Sequence, residues 1–176
     1  MNKKNIIIAV VAVVVIAVAA VAAFVLFKPK AEVKPEANIA GTLEEIMGKV
    51  YAGIPQENLP MLGDMPIDVT DADAVAAYLG TSELSIKEAL AREPMIGSIP
   101  HSVVLVRLND AKDAEDAVAK IKANANPRKW ICVQAKNVVV ESKGDLVILI
   151  MADAESPDGD INDIAPKLKE NFGGLV

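Results

Sequence analysis

Two side chains that occur once each in the chain could carry nucleophilic chemistry, the thiol of Cys132 and the imidazole of His101. A thiol reacts as its thiolate, which forms readily when an imidazole lies within hydrogen-bonding distance. Arg107 or Arg128 could then stabilise an oxyanion, and the chain would be an exported cysteine-dependent enzyme. The alternative is an inert cysteine, because residues 130–134 alternate like a strand and a buried cysteine is commonly a small apolar residue. The inert alternative is favoured, so no enzymatic activity is expected.

Two other segments could form a binding site. Residues 92–102 contain a methionine, a glycine and two prolines, a composition suited to a shaped recognition loop. Residues 127–130 place two cations beside the only tryptophan, so they could bind an anion or a carbonyl-bearing ligand while the indole ring stacks on it. The favoured alternative is that the indole fills the core and the cations are solvated. The candidate binding residues are Met95, His101, Arg128, Lys129 and Trp130.

Acidic residues crowd the segment 153–163 and could hold calcium through carboxylate oxygens. An EF-hand loop requires glycine at its sixth position, whereas the sixth residue counted from Asp153 is Asp158. A solvated acidic loop is therefore favoured. Because the chain has one cysteine, it can form neither an internal disulfide nor a four-cysteine zinc site. The sequence predicts no metal and no cofactor.

Local signals predict two short helices near the start of the domain. Thr42 and Glu45 form a capping box that begins a helix with an apolar face reaching Tyr51. A second helix is predicted to start after Thr70 and to stop at Gly80. The proline-rich residues between them, 54–69, are predicted to form an irregular loop.

The remaining elements are mostly strands. Residues 86–93 fit both a helix and a strand, and the strand is favoured. Residues 103–108 are apolar on both faces and are predicted to lie inside a sheet, and residues 145–152 form a buried strand after a hairpin turn at 143–144. Residues 130–134 and 137–142 are predicted to be strand, either one bent strand or two. The other predicted elements are a helix capped by Asp113 and a last helix that starts at Asp163 and holds Pro166 in its first turn. This order predicts an α+β, two-layer domain with helices on one face of a mostly antiparallel sheet.

The elements follow an apolar run of 22 uncharged residues, Ile6 to Phe27, which has lysines on either side. At ~1.5 Å per residue, a helix of this length crosses a bilayer, so the lipid bilayer is the first predicted partner. Residues 1–5 are then a cytoplasmic tail, 28–41 an extended linker and 42–176 an extracytoplasmic domain. The alternative is a signal peptide that is cleaved after Ala19 or Ala22, which would leave a secreted protein.

The charge of the domain argues against nucleic acid as a partner. From Asn38 onward the chain has 13 Lys and Arg against 22 Asp and Glu, a formal net charge of −9. Aromatic residues make up 3% of the whole chain. Binding of DNA or RNA requires basic surface and, for single strands, aromatic stacking platforms.

Several segments resemble a family of membrane-anchored proteins of Gram-positive, clostridia-like bacteria to which no activity is assigned. The resemblance covers most of residues 43–172 and lies in the segments Glu93-Pro94-Met95, Gly97 to Arg107, Pro127 to Val133 and Ser142 to Asp145. It implies a bacterial extracytoplasmic α+β domain and supplies no catalytic residue. We therefore expect a single-pass membrane protein whose exported domain binds an envelope protein, cell-wall material or a small anion. The alternatives are the cysteine-dependent enzyme and a structural spacer without a ligand.

Overall fold

The computed structural model describes residues 38–152 and 164–176. They form four α-helices, which are α1 (Leu43–Val50), α2 (Ala72–Leu79), α3 (Ala114–Asn124) and α4 (Ile164–Gly173). They also form five strands, which are β1 (Leu62–Ile67), β2 (Ile86–Pro94), β3 (His101–Leu108), β4 (Asn137–Lys143) and β5 (Leu146–Ala152). Short 3-10 turns lie at Gln56–Asn58 and Ala111–Asp113. The strands build one sheet in the order β1-β2-β3-β5-β4, and each neighbouring pair is antiparallel. The predicted α+β class and antiparallel sheet are confirmed.

Helices cover both faces of this sheet. Along β3, Val103 and Leu105 pack with α1 and α4, whereas Val104 and Val106 pack with α2 and α3. The prediction of two layers with helices on one face is therefore wrong, and the domain has three layers. The physical reason is visible in β3 and β5, which are buried at every position. A strand that is apolar on both faces needs a helix layer on each side.

The helix ends follow local chemistry. The predicted capping box is present: the Glu45 amide donates to Thr42 Oγ1 at 3.3 Å, and the Thr42 amide donates to Glu45 Oε2 at 3.1 Å. Asp71, rather than Thr70, caps α2 by accepting hydrogen bonds from the next turn, and Gly80 ends the helix with a φ of 76°. A threonine hydroxyl and an aspartate carboxylate can both accept hydrogen bonds from these backbone amides, and here the carboxylate of Asp71 does so.

The remaining helices begin close to their predicted starts. Before α3, the side chain of Asp110 caps the 3-10 turn by accepting from the Lys112 amide at 3.0 Å, and the predicted cap Asp113 makes no side-chain capping bond. Helix α4 begins at Ile164, and Pro166 lies in its first turn as expected.

Strand β1 occupies part of the segment that was predicted to be an irregular loop. It pairs with β2 at the edge of the sheet, where Pro66 lies opposite Leu90. Proline lacks an amide hydrogen, but an edge strand uses only one side for pairing. The loop prediction is therefore wrong, because proline excludes a central strand and not an edge strand.

The domain includes the end of the predicted linker. Ile39 is buried, and its amide donates to Asp145 Oδ1 at 3.2 Å. Arg107 binds the carbonyl oxygens of Ile39 and Gly41, each at 2.8 Å. Its guanidinium also pairs with Asp145 at 2.9 Å and with Glu88 at 2.7 Å. The predicted oxyanion partner Arg107 therefore ties the start of the domain to its centre.

Four predicted features lie wholly or mostly outside the described residues. They are the cytoplasmic tail at 1–5, the membrane span at 6–27, the linker at 28–41 up to residue 37, and the acidic loop at 153–163. In residues 38–152 and 164–176, no helix combines the length and apolar character needed to cross a bilayer.

Candidate functional site

The two segments that the sequence singled out meet at one end of the sheet. The loop between β2 and β3, residues 95–100, lies against the segment 127–135 that follows α3. The Ile131 amide donates to the Gly97 carbonyl at 3.2 Å, which joins the two segments through the main chain. A second main-chain bond, from the Met95 amide to the Met61 carbonyl at 3.0 Å, adds the residue before β1 to this end.

A largely buried polar cluster links the strand ends that flank this loop to the segment after α3. The Glu93 carboxylate accepts a hydrogen bond from Ser102 Oγ at 2.6 Å and also binds Lys129 Nζ. The side chains of Glu93 and Lys129 are each 15% exposed. Lys129 Nζ also lies 4.9 Å from the ring centre of Tyr78 and 5.4 Å from that of Trp130. Lys129, a candidate anion ligand, is therefore neutralised within the fold and positions the loop.

At the same end of the sheet, four large apolar side chains are exposed to solvent. Met61, Met95, Ile96 and Ile131 are 61% to 78% exposed. Main-chain hydrogen bonds join the segments that carry these four residues at one end of the sheet, and we call the four residues the apical patch. In the described residues, the only other exposed large apolar side chains are Val138 and Val176. Single exposed apolar residues are ordinary, whereas several of them gathered at one end of a domain are typical of an interaction surface.

A cleft of about 350 Å³ lies beside Ile131 in the apical patch. Its lining residues are Arg128, Trp130, Cys132, Val133 and Gln134. Arg128 is exposed, and among the described residues its guanidinium makes no ion pair. Trp130 is half-buried and packs against the core layer of α2 and α3.

Cys132 is exposed in this cleft, and its φ of 61° is in the left-handed region. The predicted strand at residues 130–134 is therefore wrong, and so is the predicted burial of the thiol. The segment is closed into a loop by a hydrogen bond from the Ala135 amide to the Pro127 carbonyl at 2.8 Å. Because this closure bends the chain, residues 130–134 do not pair with a strand, although their apolar and polar residues alternate.

His101 lies on the other face of the sheet and is not paired with Cys132. Its ring is buried at the start of β3, and its Nε2 is 2.7 Å from the hydroxyl of Tyr51, the residue that ends α1. Burial lowers the pKa of His101 to about 4, so the ring is neutral at neutral pH. The candidate site residue His101 is therefore buried and bonds to the side chain of Tyr51. Because Tyr51 and His101 are 50 residues apart in the sequence, no local pattern predicts their contact.

A second cleft, of about 390 Å³, borders the apical patch on the side of Met61. On its wall, Arg92 forms two hydrogen bonds to the Asp64 carboxylate, at 2.5 and 2.7 Å. The guanidinium also lies 4.9 Å from the ring centre of Tyr51. The hydrogen bond to Asp64 raises the pKa of Arg92. Sequence reading missed this pair, because only the register of β1 on β2 brings Asp64 opposite Arg92.

The buried imidazole predicts a specific loss of stability in mild acid. The unfolded chain protonates His101 near pH 6.5, whereas the folded chain does so only near pH 4. Stability contributed by the neutral ring is therefore lost as the pH falls from 7 towards 4. Between pH 7 and pH 5.5 the loss is about 1 kcal/mol. Urea denaturation at these two pH values measures it.

Direct titration of the ring provides the control, because His101 is the only histidine in the chain. Its NMR signal in the folded protein should titrate near pH 4. A midpoint close to 6.5 would contradict the buried Tyr51–His101 contact.

The site can bind through apolar contact, through the Arg128 guanidinium and through two adjoining clefts. Among the described residues, no group of three His, Cys, Asp or Glu side chains is arranged to hold a metal ion. The resemblance noted from the sequence stays a prediction. Neither a protein-family model, nor a curated protein, nor a solved structure was found to match this chain.

Proposed function

We propose that this chain is a single-pass membrane protein whose extracytoplasmic α+β domain is a binding module of the bacterial cell envelope. The observation that carries the binding role is the apical patch, four exposed large apolar side chains joined at one end of the sheet. Water disfavours such a group unless a partner covers it.

The polar cluster beneath the patch supports a binding role in a second way. Binding is weakened when loops must be ordered at the moment of contact. Here the Glu93–Lys129 ion pair and the Ser102 hydrogen bond hold the patch loops before any partner arrives. The exposed methionines add adaptability, because their unbranched side chains fit irregular apolar surfaces. The patch therefore combines a fixed main chain with adjustable side chains.

Membrane attachment is supported by the sequence alone. The run from Ile6 to Phe27 is long enough to span, and the proline- and lysine-containing residues after it suit a spacer. The short basic amino terminus favours a cytoplasmic start and an exported domain.

Site-directed photocrosslinking in the cells that make the full chain tests the binding role. A photoreactive benzophenone residue in place of Ile96 should give a discrete adduct with a partner protein. The same residue in place of Lys112 is the matched control, because this position is also exposed and lies beyond the opposite end of β3. We expect the Ile96 adduct to exceed the Lys112 adduct at least severalfold.

Equal adduct yields at the two positions would contradict the binding role. The absence of adducts at both positions would favour the structural spacer instead.

A further inference from the structure

We infer that the partner of the apical patch is a protein segment that combines apolar side chains with a carboxylate, and that Arg128 binds this carboxylate. The inference rests on the proposed binding role and adds the chemistry of the partner.

Within the described part of the chain, the charged groups around the patch leave the guanidinium of Arg128 without an ion pair. Asp64 is paired with Arg92, and Glu93 is paired with Lys129. Among the described residues, Arg128 has no such partner, although it shares a cleft with Trp130 next to the patch. A guanidinium binds a carboxylate through two parallel hydrogen bonds, so an acidic side chain or a chain terminus is its natural ligand.

The cleft offers room for that ligand. Its volume of about 350 Å³ is at the low end of the range for small-molecule sites, which suits one side chain better than a large cofactor. Gln134 adds an amide that can donate a second hydrogen bond to the carboxylate. Ile131 lies between the lining residues Trp130 and Cys132 in the chain, so the patch and the cleft share this segment.

The net charge of the domain argues against two other occupants. From Asn38 onward the formal charge is −9, so an anionic bilayer would repel the domain as a whole. A second copy would bring the same surplus of negative charge. In a two-fold contact between patches, each patch would also meet Asp64 and Glu93, which already have their cations. A separate protein segment brings one carboxylate rather than a whole negative surface, so the net charge of the domain opposes it less, and it need not bring second copies of Asp64 and Glu93.

Fluorescence anisotropy with three matched peptides tests the inference. The peptides alternate leucine and serine and differ in one central residue, which is Glu, Gln or Lys. The full chain is held in nanodiscs of neutral lipid. We expect the Glu peptide to bind tightest and the Lys peptide weakest, with about a five- to tenfold difference in Kd between them. Arg128→Glu should reverse this order, whereas Lys122→Glu, a charge change on the exposed face of α3, should keep it.

Several outcomes would overturn the inference. The inference fails if Arg128→Glu leaves the order of peptide affinities unchanged or if none of the peptides binds. It also fails if the chain binds vesicles containing phosphatidylglycerol more tightly than the peptides, or if it self-associates through a contact that Ile96→Ser abolishes. An Ile96 adduct in cells without a preference for the Glu peptide would remove the carboxylate chemistry and keep the binding role. If neither the Ile96 adduct nor the preference for the Glu peptide is observed, both the binding role and the carboxylate chemistry are contradicted.

Discussion

Replacement of Arg107 by methionine should destabilise the domain by about 3 to 5 kcal/mol. The guanidinium and the carboxylate of Asp145 are almost fully buried, with side-chain exposures of 8% and 7%. Methionine keeps much of the side-chain volume but leaves the Asp145 charge buried without its cation. It also removes the donors for the carbonyl oxygens of Ile39 and Gly41. Urea denaturation followed by the fluorescence of Trp130, the only tryptophan, measures the change.

Lys112→Met is the control for Arg107→Met. Lys112 forms an ion pair with Asp110 on the surface, where solvent screens the charges. We expect no measurable change in the free energy of unfolding. If Arg107→Met were as mild as this control, Arg107 would not tie the start of the domain to the sheet.

Gly80→Ala should also destabilise the domain, by about 2 to 4 kcal/mol. Gly80 ends α2 with a φ of 76°, which disfavours any residue with a Cβ. A Cβ at this position would lie 2.0 Å from the carbonyl oxygen of Asn124 and 2.8 Å from the amide nitrogen of Ala125. Both atoms belong to the main chain at the end of α3, so the clash cannot be relieved by a side-chain rotation. Differential scanning calorimetry of the two proteins measures the loss.

Gly48→Ala is the matched control, and its effect should have the opposite sign. Gly48 lies inside α1, and nothing is within 4 Å of the Cβ position. Alanine is favoured over glycine in a helix by about 1 kcal/mol, so the midpoint of unfolding should rise. Equal shifts for the two variants would contradict the close approach of α2 to the end of α3.

Local chemistry allowed several elements to be predicted from the sequence. The capping box of Thr42 and Glu45 identifies the start of α1, because both hydrogen bonds lie within one turn. The apolar runs of β3 and β5 identify buried strands, and the glycine at 144, with a φ of 57°, identifies the hairpin turn that precedes β5. In each case the deciding contacts are close in sequence.

Prediction failed where distant segments decide the conformation. Strand β1 exists because β2 offers a partner at the sheet edge, which tolerates Pro66. Residues 130–134 alternate like a strand, but the bond between Ala135 and Pro127 makes the segment a loop. Ile39 looked like part of a linker because one apolar residue among polar ones has no periodicity. Its burial depends on Arg107 and Asp145, which lie far along the chain.

The site was predicted in parts but not as a surface. Sequence composition pointed to Met95 and to Arg128 through Trp130, and these residues lie at the same end of the sheet. Their convergence depends on the strand order and on the loop after α3, which no local pattern contains. Nothing in the sequence indicated that Met61 belongs to the site. Its exposure follows from its position just before an edge strand that was not predicted.

The most direct measurement of the binding role is the yield of the Ile96 photocrosslink with and without the substitution Ile131→Ser. Ile131 is exposed, so serine at this position should leave the free energy of unfolding within about 0.5 kcal/mol of the original value. If the apical patch is the binding surface, the adduct should fall severalfold while the unfolding midpoint stays unchanged. An undiminished adduct in a normally folded Ile131→Ser protein would contradict the role of the patch.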